Sequence, residues 1–317
     1  MPHLESSFAA PFLLGSAHLQ TVLQGSMRAG GGLRFECETL ELSDGDFLTL
    51  GWDRCGSRKL AILCHGLEGS MSAGYIRSSG LALSAAGWDV LAWNFRGCGP
   101  VPNRLLAGYH CGKTDDLELV IKHAAPQYSR LALVGFSLGG NLVLKYLGEA
   151  APDPKVSGAV AVSAPVDLGS TAKALDCKIL NQLYLRRFLS TLNSKMRQKR
   201  TLFPNQIPNV IAQSLREFDD IYTAPLHGFS GATDYWEKSS SRQFLAQIRV
   251  PSLLLNAVDD PFLGGESFPL EEAHANPSFF IETPAHGGHL GFMNWRGRYR
   301  GWMERRIVTF LDFFNGC

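Results

Sequence analysis

Six short apolar runs punctuate this chain of 317 residues, and none of them alternates with polar positions. They lie at 60–64, 89–95, 130–134, 158–162, 252–257 and 279–282. A strand with one wet face reads apolar, polar, apolar; a run that stays apolar belongs to a strand covered on both faces. Helix-like stretches fall among them at 76–86, 114–125, 138–149 and 300–314. Strand and helix in alternation predict an α/β architecture: a mostly parallel central sheet, right-handed crossovers, and helices on both faces. Segment 33–54 differs. It alternates around Ser43-Asp44-Gly45-Asp46 and reads as an antiparallel hairpin leading into the sheet.

The alternation stops between about 167 and 245. Leu175 to Met196 runs at helical spacing, Pro204 and Pro208 follow, and Val210 to Asp220 is helix-like again. The segment sits between two predicted strands, so it reads as a helical cap or lid inserted over their carboxyl ends. The organisation expected is a core over 1–166 and 246–317, with the cap at 167–245.

Composition narrows the function. With 45% hydrophobic residues the chain can bury a core of this size. A net charge of +1 provides no global field for nucleic acid, and no nucleic-acid motif accompanies the local charge. The opening Met1-Pro2-His3-Leu4-Glu5 lacks a basic leader followed by an apolar stretch, and no window approaches the length of apolar residues a membrane span needs. The cysteines (Cys37, Cys55, Cys64, Cys98, Cys111, Cys177 and Cys317) are odd in number, dispersed, and form no C-x-x-C. Free thiols in a reducing, cytoplasmic setting are expected.

One of the apolar runs carries chemistry at its end. Leu133-Val134-Gly135-Phe136-Ser137-Leu138-Gly139-Gly140-Asn141 is a G-x-S-x-G between a strand and a helix. Such a turn holds a serine hydroxyl at the tip of a sharp elbow. The pattern is common by chance; its context gives it weight. A serine alcohol needs a base in reach, and the base needs an orienting acid. The run at 252–257 ends in Val258-Asp259-Asp260-Pro261, and the run at 279–282 leads to His286-Gly287-Gly288-His289. Both lie just past strands, at the edge where open α/β sheets bind ligands. Ser, then acid, then His is the chain order of the α/β-hydrolase fold. Two adjacent acids cannot both face one histidine: Asp260 is favoured, with Asp259 as the alternative. His289, flanked by glycine, is favoured over His286. The H-x-x-H spacing has no third ligand nearby, so no metal is expected. Backbone N–H groups of Leu138 and Leu67 are the candidate oxyanion donors, the latter from the loop His65-Gly66-Leu67-Glu68-Gly69. His65 reads as a structural histidine or, second, as an alternative base.

Several segments resemble the YheT-like branch of the α/β-hydrolase superfamily. They are His65 to Ser70, Asn94-Phe95-Arg96-Gly97-Cys98, Tyr109 to Asp116, Gly135 to Asn141, Asn256 to Phe262 and Gly287 to Phe292. His18-Leu19-Gln20-Thr21 and Thr223 to Phe229 are similar to that branch as well. Cys98-Gly99-Pro100 departs from it, since relatives more often carry serine or an acidic residue after the cysteine. The resemblance implies an α/β-hydrolase core with an inserted cap, the set Ser137, Asp260 and His289, and no cofactor. It also implies esterase chemistry on small acyl esters or lipids. The expected function is hydrolysis of short- to medium-chain or lipid-like carboxylic esters through an acyl-enzyme. The alternatives are a thioesterase, amidase or peptidase using the same residues, or a binding module without catalysis. Two basic clusters remain: Arg186, Arg187, Lys195, Arg197, Lys199 and Arg200, and Arg296, Arg298, Arg300, Arg305 and Arg306. Their plain reading is solvated helix faces; the sharper one is a surface for anionic lipid.

Overall fold

The computed structural model describes residues 3–27, 33–149, 151–294 and 301–315. Nine strands form one sheet: β1 (His3–Leu4), β2 (Glu36–Glu41), β3 (Phe47–Asp53), β4 (Lys59–Cys64), β5 (Asp89–Asn94), β6 (Arg130–Phe136), β7 (Val156–Val162), β8 (Ser252–Leu255) and β9 (Phe279–Glu282). Their spatial order is β1-β9-β8-β7-β6-β4-β5-β3-β2. Only β3 runs against its neighbours; the other pairings are parallel.

The lack of alternation in the sequence has its cause here. Leu60, Ile62 and Cys64 of β4 face one apolar layer, while Ala61 and Leu63 face the other, and all are fully buried. Among the helices, α1 spans Ala17–Met27, α2 Gly74–Ala85, α3 Thr114–Ala124 and α4 Leu138–Glu149. Between β7 and β8 come α5 (Leu168–Cys177), α6 (Gln182–Leu202), α7 (Leu215–Phe218), α8 (Ala224–His227) and α9 (Ala232–Ser239); α10 (Leu270–Ala275) and α11 (Trp302–Asn315) complete the set. Leu117, Val120 and Ile121 of α3 and Leu142 to Leu144 of α4 cover one face of the sheet. Ile76 and Leu83 of α2, with Met303, Ile307 and Leu311 of α11, cover the other.

Segment 167–245 departs in detail from the sequence expectation. The helix expected from Leu175 to Met196 breaks at Lys178. There the Asn181 amide donates to Ala174 O and to Pro261 O, fixing a bend between α5 and α6. The helix expected from Val210 begins only at Leu215. Asn193 of α6 exchanges two hydrogen bonds of 3.0 Å with the backbone of Ala212, holding that stretch out of a helix. Ser214 then caps α7 by accepting the Glu217 N–H.

One buried ion network joins the hairpin, the loop after β5 and α3. The Arg96 guanidinium donates to Asp116 (2.7 and 2.8 Å), to Asp44 (2.6 Å) and to Asp46 (3.2 Å). Arg96, Asp46 and Asp116 are all buried. Removing the cation leaves two buried carboxylates without their partner, which is the costly way to break such a network. Arg96→Leu is expected to lower the urea unfolding free energy by about 3–5 kcal/mol; a loss below about 1 kcal/mol contradicts this assignment.

Candidate active site

β6 ends at Phe136 and α4 starts at Leu138, so Ser137 alone makes the turn. Its φ is +53°, a left-handed conformation that costs a serine energy. The flanking glycines are required by space. A Cβ on Gly135 would stand 2.2 Å from Gly139 O, and one on Gly139 would stand 2.3 Å from Cys64 O. The helix therefore packs directly onto the strand ends, and the serine projects at the carboxyl edge of the sheet.

Two later strand ends bring the other side chains. Ser137 Oγ lies 3.0 Å from His289 Nε2. His289 Nδ1 lies 2.9 and 3.2 Å from the two carboxylate oxygens of Asp260. The carboxylate accepts the Nδ1 proton, which leaves Nε2 as the acceptor for the serine hydroxyl. Both His289 and Asp260 are buried. The adjacent acids part company: Asp259 instead accepts the Gly288 N–H (2.8 Å) and faces the exposed His286 (3.3 Å). His286 and His289 thus have separate carboxylate partners, and no metal-binding cluster occurs among the described residues.

The histidine loop is held by the N-terminal helix and by the residue after β7, supports the sequence did not reveal. Thr21 Oγ1 accepts the His289 N–H (2.9 Å), Gln20 Oε1 accepts the Met293 N–H (2.7 Å), and Ser163 Oγ accepts the Leu290 N–H (3.0 Å). Asn256, at the end of β8, accepts the Ala164 N–H and donates to Ala164 O and Ser267 O, pinning the acid-bearing loop to the end of β7.

The two candidate oxyanion donors share a wall of the same pocket. Leu67 and Leu138 both line it beside Ser137 and His289. Neither N–H has a hydrogen-bond partner among the described residues. Gly66 brings the Leu67 loop in close, since a Cβ there would stand 3.0 Å from Ser137 Cβ. His65 is fully buried and occupied by backbone: Nε2 accepts the Phe95 N–H (3.1 Å) and Nδ1 faces Gly66 O (2.8 Å). It braces the loop.

A second support was also missed. Glu68, at φ +55°, accepts hydrogen bonds of 2.8 Å from the Lys195 ammonium and from the Tyr109 hydroxyl. Lys195 belongs to α6, so the pair ties that helix to the candidate oxyanion loop. Lys199, one turn on, donates to Asn103 O (2.9 Å) and to Leu105 O. Both lysines point inward.

The remaining pocket wall is apolar and poor in free charge. Leu168, Phe188, Leu192, Phe218 and Trp236 of segment 167–245 contribute to it, with Phe262. Burial holds the imidazoles neutral, bringing His110 down to about 2, with His227 beside it as a lesser cause, and His227 down to about 4. Burial raises Asp219 to about 7, although Thr223 and Trp236 donate to its carboxylate. The thiols of Cys98 and Cys111, pushed up to about 12 mainly by burial, are not nucleophiles.

Residues 60–294 match the α/β hydrolase fold family. The chain belongs to that family, in its YheT-like branch. It is 32% identical to YheT of Escherichia coli K12 over 326 residues, covering 98% of this chain and 95% of that protein. It is 30% identical to the phospholipase ABHD3 of Bos taurus, covering 92% of this chain and 75% of that one. Among solved structures, the Pyrococcus furiosus esterase Pf2001 superposes with a TM-score of 0.57 at 20% identity, over 88% of this chain and 93% of its own, a likeness of fold.

His65 sets a pH dependence. Burial lowers its pKa to about 4, against an ordinary value of 6.5. The folded state therefore refuses a proton that the unfolded chain accepts. This stability is complete above about pH 6.5 and is lost as pH falls toward 4. Between pH 6.5 and 5 the unfolding free energy should fall by about 1–2 kcal/mol from His65 alone. A His65→Asn variant should lose that part of the slope; equal slopes in wild type and variant contradict the neutral buried imidazole.

Proposed function

We propose that this chain is a serine hydrolase that cleaves carboxylic esters through an acyl-enzyme. The observation that carries the reading is the continuous Ser137–His289–Asp260 chain of contacts, opening onto an apolar pocket beside two amides that have no partner among the described residues. In this reading Ser137 Oγ attacks the ester carbonyl as His289 Nε2 takes its proton. The tetrahedral oxyanion accepts from the N–H groups of Leu67 and Leu138. Asp260 holds the tautomer and stabilises the imidazolium. His289 then returns the proton to the leaving alcohol, and water repeats the sequence on the acyl-serine. No cofactor enters any step.

Segment 167–245 acts as a cap over a core made of 1–166 and 246–317. The cap contributes much of the apolar pocket wall, which suits acyl chains rather than polar substrates. That a relative of this chain is named a phospholipase supports a lipid-like ester. The same machinery serves thioesters and amides in principle; the ester reading is favoured because the pocket offers few free donors or charges for a peptide backbone.

The test is hydrolysis of p-nitrophenyl esters from acetate to dodecanoate, with Ser137→Ala alongside. Turnover is expected to drop by about 10⁴-fold or more in the variant. A variant that keeps more than about a hundredth of the wild-type rate overturns the role of Ser137. A wild type that neither turns over an ester nor reacts with a fluorophosphonate is a binding module instead.

A further inference from the structure

Six of the exposed apolar side chains lie in two segments beside the candidate site. Phe12, Leu19 and Val22 belong to the N-terminal segment; Ile179 and Leu180 lie in the turn before α6, and Leu183 in its first turn. Exposure ranges from 38% at Leu19 to 99% at Phe12. The two groups meet where His18 Nδ1 lies 3.2 Å from the Tyr184 hydroxyl and the two rings stack at 5.8 Å. Behind that contact, Tyr184 packs edge-on against Phe262 (4.8 Å), and Phe262 packs against the ring of His289 (4.2 Å). The apolar face is therefore two rings away from the candidate base.

Cations flank the second group in sequence. Lys178, Arg186 and Arg187 are exposed, and no carboxylate lies within ion-pair distance of them among the described residues. α1 carries no charged residue at all. The basic clusters read from the sequence do not form this surface as they stand. Lys195 and Lys199 turn inward, Arg306 pairs with Glu282, and Arg296, Arg298 and Arg300 lie outside the described residues.

We propose that this face docks on an anionic lipid bilayer. The six apolar side chains enter the boundary between headgroups and acyl chains, and the three cations meet headgroup phosphates. A second copy of this chain is a poorer occupant, because a two-fold contact presents each face to its own equivalent and brings like charges together. Docking in this way sets the His289 side of the pocket against the lipid surface. This use of the docked state rests on the ester-hydrolase reading; the docking itself does not.

The experiment is co-sedimentation of the full chain with vesicles of phosphatidylcholine, alone or with roughly a third phosphatidylglycerol. Two paired variants accompany it, Leu180→Asp with Leu183→Asp and Arg186→Glu with Arg187→Glu. Wild type is expected to bind the anionic vesicles and to bind pure phosphatidylcholine about 10-fold more weakly or less. The arginine pair should lose about 10-fold or more on anionic vesicles, and the leucine pair should lose binding altogether. Both should hydrolyse p-nitrophenyl butyrate at the wild-type rate. Absent wild-type binding, equal binding to both vesicle types, or unchanged binding in both variants overturns the proposal. A dimer in solution that the leucine pair dissolves also overturns it, by making the face a contact between copies. Vesicle binding without ester turnover leaves the docking standing and defeats the ester reading instead.

Discussion

The contact on which the rest of this structure turns is the near-collision of β6, α4 and the end of β4. Gly139 sits so close to Cys64 O that any side chain is excluded, and Gly135 sits equally close to Gly139. Only that approach lets one residue, Ser137, reverse the chain from a buried strand into a buried helix. The left-handed conformation it forces costs roughly 1–3 kcal/mol, which the apolar burial on both sides offsets. Its result is a hydroxyl whose direction is fixed by the backbone.

The other parts of the site are aimed at that fixed point by clamps from distant segments. Asn256 fastens the acid loop to the next strand end. Gln20 and Thr21 hold the histidine loop from the other end of the chain. Glu68 and Lys195 couple the candidate oxyanion loop to α6. Each clamp is a small set of buried or half-buried hydrogen bonds between elements far apart in sequence, so the site exists only when the whole sheet is assembled. The bilayer-facing surface proposed above extends the same pattern outward, through Tyr184 and Phe262 to His289.

Much of this was legible in the residues, because much of it is local. Apolar runs without alternation state that both faces are covered, and the sheet has that form. The G-x-S-x-G lay between strand and helix, and the order of acid and histidine followed the strands. Asp260 could only be favoured over Asp259, since adjacent side chains diverge only once the loop has its tertiary partners. The bend at Lys178 and the non-helical stretch before Ser214 escaped because long-range bonds from Asn181 and Asn193 override helical spacing. Lys195 and Lys199 are instructive in another way. They follow Leu192 by three and seven residues, on its own face of α6, so the spacing already placed them inward; their charge suggested a surface.

In the proposed reaction Ser137, Leu67 and Leu138 converge on one carbonyl. The most direct test is a crystal structure of the protein after reaction with an alkyl fluorophosphonate. Phosphorus is expected on Ser137 Oγ, with the phosphoryl oxygen within about 3 Å of the backbone nitrogens of both Leu67 and Leu138. An adduct on another residue, or a phosphoryl oxygen turned away from those two amides, contradicts it.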